Sequence, residues 1–273
     1  MTTKLTVIVD NIPDKGLKGE WGLSILAEHN GKMILADAGG SSLFAENLEK
    51  LGFDIEKIGY ATLSHAHYDH ANGIPEFFAK NSSAKFYIRE NSGEDCYSEK
   101  FFFKKKYIGM PKNVLSDYSD RIETVSGDYM LYEGAYLIPH KTAGLSAIGK
   151  RERMFRLTNN GFIPDDFSHE QSLVLDTEKG MVIINCCSHG GAVNIINEIK
   201  KTFPDKHIYG LIGGFHLFNK TNSEIRRVAR EIRSTGIDFV CTGHCTGDRA
   251  FRIMKKELGE NICQLHVGLE MEF

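Results

Sequence analysis

The alternation of apolar and polar residues predicts strands at the start of each half of the chain. Period-two alternation over residues 4–10 predicts a strand, and residues 22–28 and 33–37 predict two more, joined as a hairpin through Gly31 and Lys32. Helices and strands then follow in turn: a helix over 41–51, a strand over 58–64, a helix over 74–80 and a strand over 85–89.

The second half repeats this order. Residues 172–176 and 181–186 predict a hairpin that turns at 178–180. Helices and strands then alternate: helix 192–203, strand 207–212, helix 223–234, strand 237–241, helix 248–258 and strand 262–267. Because both halves run from hairpin strands into alternating strands and helices, we expect an α/β (α+β) fold of two mixed sheets packed face to face, with helices outside. Residues 90–169 are less regular, and we expect an irregular insertion at about that position in a single domain spanning 1–273.

The composition is that of a globular protein. The chain has 273 residues, of which 41% are hydrophobic and 25% charged, so collagen-like and wholly disordered proteins are excluded. A net charge of −3 argues against a protein whose main role is to bind nucleic acid. No apolar run reaches the roughly 18 residues of a membrane span, and the first residues lack a signal-peptide pattern. We therefore expect a cytoplasmic protein that does not enter a membrane, with its six cysteines reduced.

A run of lysines and phenylalanines lies in the irregular segment, at residues 100–107. One interpretation is a mobile lid that carries cations toward an anionic substrate. The other is an insertion whose phenylalanines pack on the body and whose lysines stay solvated. We prefer the second, since charge runs are usually solvated faces.

The densest chemical pattern follows the strand predicted at 58–64. His65, His67, Asp69 and His70 place four potential metal ligands within six residues, between that strand and the next helix. In such a turn His65 and His67 can face one site while Asp69 and His70 face an adjacent one. Imidazoles with one carboxylate suit zinc, iron or manganese better than magnesium or calcium. The alternative, surface histidines with Asp69 as a helix cap, does not account for this density.

Three later histidines share the same position, just after an apolar strand. They are His189, His216 and His244, and glycines flank each of them. Strand ends at one sheet edge converge on a common cleft, so we expect His189 and His244 to approach the first cluster. For His216 two interpretations stay open, a member of that cluster or a hydrogen-bonded core histidine. Asp37 also ends a strand; its carboxylate either orients a ligating histidine or forms an ordinary Asx turn.

Together these residues resemble the metallo-β-lactamase superfamily. The resemblance rests on His65-x-His67-x-Asp69-His70, on Asp37 before it and on the distant histidines after it. It implies an αββα sandwich with one or two divalent metal ions in a cleft at the sheet edges, zinc being the first choice and iron or manganese the alternatives. It further implies that His65, His67 and His189 hold one ion and that Asp69, His70 and His244 hold the other.

Further motifs resemble one subgroup, that of 7,8-dihydropterin-6-yl-methyl-4-(β-D-ribofuranosyl)aminobenzene 5′-phosphate synthase. They are Glu170-Gln-Ser-Leu173, Cys187-Ser-His-Gly190, Ile212-Gly-Gly-Phe-His-Leu217 and His244-Cys-Thr-Gly247. The activity of that subgroup joins a pterin alcohol diphosphate to an aryl amine and releases pyrophosphate. Many other members are described only as metal-dependent hydrolases.

One departure from the superfamily pattern concerns the second ion. Most members carry a bridging aspartate where this chain has Gly213-Gly214-Phe215-His216. Either His216 is a neutral ligand, or the second ion binds weakly because a negative charge between two dications is missing.

The function expected from the resemblance is a metal-dependent hydrolase that uses a metal-bound hydroxide on a phosphoester or a related substrate. Asp69 would ligate and orient the nucleophile, and His216, if not a ligand, would be the general acid or base. No catalytic role is expected for Cys186, Cys187 or Cys245. The alternatives are the pterin-transferring synthase and a non-catalytic protein that binds metal or pterin. The expected partner is an anionic or phosphorylated small molecule, and nothing in the sequence indicates the oligomeric state.

Overall fold

A computed structural model describes residues 3–14, 16–99 and 104–273 of the chain. Residues 100–103 of the lysine–phenylalanine run lie outside the described residues, so the two interpretations of that run stay predictions. The strands of the described part are β1 (Lys4–Val9), β2 (Ser24–His29), β3 (Lys32–Ala36), β4 (Tyr60–Thr62), β5 (Lys85–Arg89), β6 (Cys96–Glu99), β7 (Lys105–Tyr107), β8 (Ile122–Val125), β9 (Tyr129–Tyr132), β10 (Ala135–Pro139), β11 (Met154–Thr158), β12 (Gly161–Pro164), β13 (Gln171–Thr177), β14 (Gly180–Cys187), β15 (Ile208–Gly214), β16 (Phe239–Thr242), β17 (Ile262–Gln264) and β18 (Glu270–Glu272).

The helices alternate with these strands. They are α1 (Leu43–Lys50), α2 (Tyr68–Ala71), α3 (Ile74–Lys80), α4 (Val114–Asp117), α5 (Ser146–Glu152), α6 (Ala192–Thr202), α7 (Asn222–Thr235) and α8 (Asp248–Leu258). Among the helices in the described ranges, none is long and apolar enough to cross a membrane.

Two mixed sheets form the body of the molecule. The first has the strand order β18-β1-β2-β3-β4-β5-β8 and the second β17-β16-β15-β14-β13-β10-β9. One buried cluster draws residues from both sheets, such as Val7 and Ile25 with Val182 and Ile212. Two further clusters lie on the outer faces, under α1 and α3 on the first sheet and under α6, α7 and α8 on the second. The predicted αββα sandwich is therefore confirmed.

Several predicted boundaries differ from the structure. The last strand was expected over 262–267, but β17 ends at Gln264 and the chain returns to pair β18 with β1. This pairing joins the two ends of the chain, so no local pattern predicts it. The segment 90–169 also holds regular elements, including a small third sheet of order β12-β11-β6-β7. Its strands are short and carry exposed apolar residues such as Leu157 and Phe162, which blurs the alternation expected of a strand.

The parallel parts of the two sheets bring the candidate residues to one edge. β3 and β4 are parallel neighbours in the first sheet, as are β14, β15 and β16 in the second. The loops that carry the candidate histidines follow the carboxyl ends of β4, β14, β15 and β16. Because parallel strands end at the same edge, these loops face a common cleft.

A buried polar link joins the two sheets beneath that edge. The guanidinium group of Arg89, only 2% exposed, donates to Gln171 Oε1 at 2.8 Å and to the carbonyl oxygen of Gly127 at 2.7 Å. The Gln171 side chain in turn donates to the carbonyl oxygen of Leu63, directly before the first histidine motif. The link thus fixes the start of the motif against the second sheet.

We expect Gln171→Leu to lower the free energy of unfolding by about 2–3 kcal/mol. The substitution removes a hydrogen bond from the guanidinium group of Arg89, which stays buried without that partner. Urea denaturation of metal-matched samples measures the change. The control is Gln264→Leu, which removes an exposed hydrogen bond to Asp248 and should change the value by less than about 0.5 kcal/mol. Equal effects of the two substitutions would contradict a special role for the Arg89 link.

Candidate metal centre

Three histidines form the first half of the site. The rings of His65 and His67 lie 4.5 Å apart between centroids, and each lies 4.8 Å from the ring of His189. Candidate ligand atoms of the three residues all lie within 4.8 Å of one another. His67 and His189 are 122 residues apart in the sequence, and the convergence of β4 and β14 brings them together. We call these three residues the first trio.

Asp69, His70 and His244 form a second trio beside the first. His70 Nε2 lies 3.2 Å from His244 Nε2, and the Asp69 carboxylate lies 3.5 Å from His244 Nε2 and 3.9 Å from His70 Nε2. The rings of His65 and His70 are 4.2 Å apart between centroids, so the two trios adjoin. The structure therefore brings together the six residues predicted for two ion sites.

The first trio presents ring nitrogens that have no partner in the protein. His65 Nε2, His67 Nε2 and both ring nitrogens of His189 are buried without a hydrogen bond. Burial lowers the pKa of His67 to about 3, with a further decrease from neighbouring His169, and it lowers the pKa values of His65 and His189 well below their usual range. The rings are neutral and offer lone pairs, which is the state that binds a cation.

The second trio has a different charge balance. Burial acts to raise the pKa of Asp69, but His70 and His244 outweigh it and keep the carboxyl ionised. Burial also acts to lower the pKa of His244, but Cys245 and Asp69 raise it to about 9. An environment negative enough to hold a proton on His244 also attracts a divalent cation, which would replace that proton. Imidazoles with one carboxylate are a donor set that fits zinc, iron or manganese.

Buried carboxylates orient the second trio. Asp37 Oδ2 lies 2.7 Å from His70 Nδ1, and the amide and hydroxyl of Ser64 donate to the same carboxylate, each at 2.6 Å. Of the two roles considered for Asp37, the structure thus has the one in which it orients a histidine. Asp10 accepts a hydrogen bond from the backbone amide of His244, while Asn11 Oδ1 lies 3.2 Å from His244 Nδ1. The contacts at Nδ1 of His70 and of His244 leave the Nε2 atoms of both rings facing the site.

The backbone at the site is held in rare conformations. Asp37, His216 and His244 all have left-handed φ angles, of 61°, 50° and 45°. Such angles are uncommon for residues with a Cβ atom and persist where the surrounding structure imposes them. Here they aim the side chains that follow a strand end back toward the cleft.

His216 lies at the side of the two trios. Its ring centroid is 4.5 Å from that of His189, and its Nδ1 is 3.7 Å from the sulfur of Cys187. The side chain is partly exposed and lines the cleft together with Phe218. This position is compatible with either of its predicted roles, a neutral ligand or an acid–base group.

Sequence reasoning missed two buried clusters that support the ligand loops. His140 lies between Glu198, at 3.0 Å, and Glu170, at 3.2 Å, and Glu170 also accepts from the amide of Gly190, next to His189. Burial acts to lower the pKa of His140, but the two carboxylates raise it to about 10. In the sequence His140 is an isolated histidine in the irregular segment, so only the fold reveals its partners.

The second missed cluster lies behind His67. The backbone amide of Ala66 donates to His169 Nδ1, and His169 Nε2 lies 3.1 Å from Asp165 Oδ2. This pair, whose members are both fully buried, holds the turn between His65 and His67. Neither residue belongs to a short-range motif that could have predicted the contact.

Aromatic side chains form the rim of the cleft. Trp21, Tyr68 and Phe218 are 45%, 37% and 46% exposed, although large aromatic residues are usually buried. The rings of Trp21 and Phe218 meet edge to face at 5.9 Å, and Trp21 also lies 5.0 Å from the ring of His244. The cleft therefore combines a polar floor with flat apolar walls.

Comparison with known proteins identifies the family. Residues 22–146 match the family model of the metallo-β-lactamase superfamily. An uncharacterized protein of Methanocaldococcus jannaschii is 30% identical over 277 residues, covering 97% of this chain and 98% of the relative. The chain belongs to the metallo-β-lactamase superfamily.

Three further proteins resemble this chain, two of them at 28–29% identity and one in its fold alone. The 7,8-dihydropterin-6-methyl-4-(β-D-ribofuranosyl)-aminobenzene-5′-phosphate synthase of Methanocaldococcus jannaschii is 28% identical, over 92% of this chain and 90% of its own. The crystal structure of a metal-dependent hydrolase of the β-lactamase superfamily matches with a TM-score of 0.85 and 29% identity, over 99% of both chains. A diphosphatase of the PhnP family, with a TM-score of 0.55 and 15% identity over 100% of this chain and 98% of its own, shares the fold.

We expect Asp37→Asn to weaken metal binding at the second trio by about 10–100-fold, because the amide loses the negative charge that orients His70. Competition with a chromogenic chelator measures the affinity of each ion. Asp205→Asn, at an exposed position between α6 and the amino end of β15, is the control and should leave both affinities unchanged. An unchanged second affinity in Asp37→Asn would contradict the orienting role.

Proposed function

We propose that this member of the superfamily is a metal-dependent hydrolase of a phosphoester or a related anionic small molecule. The observation that carries the proposal is the set of buried imidazole nitrogens without partners at the floor of an open cleft. Leaving such groups unpaired costs about 1–3 kcal/mol each, and a bound cation would recover this cost. The relatives named above, a synthase and a metal-dependent hydrolase, agree with an enzyme on this fold.

Each trio has a defined task in this proposal. His65, His67 and His189 would hold the first ion, and Asp69, His70 and His244 the second, with zinc as first choice and iron or manganese as alternatives. When bound, such ions lower the pKa of water toward about 7 and neutralise negative charge on a phosphate oxygen. Asp69, a member of the second trio, lines the cleft, where its carboxylate can orient the attacking nucleophile.

His216 is the proposed proton donor or acceptor. Its partly exposed ring lies in the cleft beside His189, within reach of a substrate bound over the trios. An imidazole at that position can give a proton to the departing oxygen and take one back from solvent. Phe218 packs edge to face against the ring at 5.1 Å and limits its orientation.

The second candidate is the synthase reaction. In it the nitrogen of an aryl amine forms a bond to the methylene carbon of the pterin, while the bond between that carbon and the diphosphate oxygen breaks and pyrophosphate leaves. The aromatic rim favours this candidate, because Trp21, Tyr68 and Phe218 offer flat surfaces that suit a pterin or an aryl ring. The likeness to the Methanocaldococcus jannaschii synthase, over nearly the whole chain, points the same way. A non-catalytic protein that binds metal or pterin would share the trios but turn over neither substrate.

The first test is metal analysis of the purified protein combined with turnover of bis(p-nitrophenyl) phosphate, with and without chelator. We expect two ions per chain and chelator-sensitive hydrolysis, and His67→Ala should lose both metal and turnover because a buried ligand is removed. His207→Ala is the control, since His207 is exposed and pairs with Asp238.

The outcomes separate the candidates. Metal and full activity in His67→Ala would refute the assignment of the first trio. Tightly bound ions without hydrolysis would favour the synthase, and the same protein is then assayed with a dihydropterin diphosphate and an aryl amine for release of pyrophosphate. Metal binding with neither activity would indicate the non-catalytic protein.

Substitution of His216 tests its role separately. If the ring transfers protons, His216→Gln should lower kcat by about 10²–10⁴-fold with unchanged metal content, and one limb of the pH–rate profile should disappear. His207→Gln is the matched control. Loss of one ion from His216→Gln would instead make His216 a ligand.

A further inference from the structure

Two thiols lie at the floor of the cleft, beside the histidines. Cys187 ends β14 and Cys245 lies in the 3₁₀ turn His244–Thr246; they are 3% and 1% exposed, and both line the cleft. Their sulfur atoms are 2.9 Å apart, and both residues are free cysteines. From the sequence, neither residue is expected to have a catalytic role, because a metal-dependent mechanism needs no cysteine nucleophile.

The sulfur of Cys187 lies between the two trios. It lies within 4.8 Å of the candidate ligand atoms of six residues: His65, His70, His189, His216, His244 and Cys245. His65 and His189 belong to the first trio, whereas His70 and His244 belong to the second. A single sulfur atom therefore reaches ligands of both trios.

The adjacent strand end leaves no room for another ligand. A Cβ atom on Gly214 would lie 2.5 Å from the sulfur of Cys245, and one on Gly213 would lie 1.8 Å from the carbonyl oxygen of Asn185. Since no side chain fits at either glycine, the thiols occupy the space at the end of β15. The backbone amide of His216 also donates to the sulfur of Cys245 at 3.2 Å, which fixes this sulfur beside that of Cys187.

The charge balance of the site calls for a second anion. Two divalent cations bring four positive charges, while the two trios contain one carboxylate, that of Asp69, and five imidazoles, which are neutral when they bind a cation. A thiolate between the trios would add a negative charge where the repulsion between the ions is largest. Thiolate is also a ligand that suits zinc better than manganese.

We propose that Cys187 is a thiolate ligand of the ion held by the second trio, with Cys245 holding its sulfur in place. A sulfur–metal bond forms as the S–H bond breaks, the proton passes to solvent through the cleft, and no atom changes oxidation state. The proposal rests on the metal centre proposed above. It leaves His216 free for proton transfer.

The test uses the full chain, stripped with chelator and reloaded with Co²⁺, because a thiolate ligand gives Co²⁺ an intense near-ultraviolet charge-transfer band that histidine and carboxylate do not. We expect the band in the wild type as the second ion binds and its loss in Cys187→Ser, with the second affinity lowered at least about tenfold. Cys263→Ser, which removes a partly exposed thiol on β17, is the control and should keep the band.

A second variant replaces the proposed thiolate by a carboxylate. Cys187→Asp restores an anionic ligand, so we expect it to recover the second affinity without the band, which also covers the case in which Cys187→Ser fails to fold. A wild type that binds two Co²⁺ ions without the band, or a band that persists in Cys187→Ser, would overturn the assignment. A wild type that binds no Co²⁺ would overturn the metal centre itself, so the two failures are distinguishable.

Discussion

Four imidazole nitrogens of the first trio lie buried without a protein partner, and much of the surrounding structure serves to keep them so. A protein normally satisfies buried polar groups, and each one left unpaired costs about 1–3 kcal/mol. Here the histidines come from loops after β4 and β14, on different sheets, so both sheets must hold them in place. Each neutral ring offers one nitrogen lone pair, and candidate ligand atoms of the three residues lie within 4.8 Å of one another, a spacing that suits a cation.

The groups behind the ligands explain how this arrangement is held. A buried carboxylate lies behind each ligand loop: Asp37 at His70, Asp10 at the amide of His244, and Glu170 at the turn that carries His189. These carboxylates accept hydrogen bonds from backbone amides or ring nitrogens, so each loop is fixed by its own network. The ligand loops are thereby held by groups that lie outside the two trios.

The cleft divides its chemistry between the floor and the walls. The floor holds the two trios and the paired thiols, where charge is concentrated. The walls hold His216 and the exposed rings of Trp21 and Phe218, where a substrate would meet a proton donor and flat apolar surfaces. In our proposals, the thiolate of Cys187 supplies the negative charge that no acid provides at the end of β15. The second ion then does not need His216 as a ligand, so this ring stays free for proton transfer.

Local patterns in the sequence predict many of the helices and strands and all six residues of the two trios. The predicted helix over 74–80 and strand over 85–89 match α3 and β5, because strong periodicity and a proline at the helix start act over short range. The histidine motif was dense enough to be read directly, and the strand-end rule predicted that His189 and His244 would join it. Four features become visible only in the folded chain. They are the pairing of β18 with β1, the third sheet within 90–169, the His140 and His169 clusters, and the place of Cys187 between the trios. These contacts join residues that are far apart in the chain. They depend on which strand ends meet in the fold, and neither periodicity nor motif spacing carries that information.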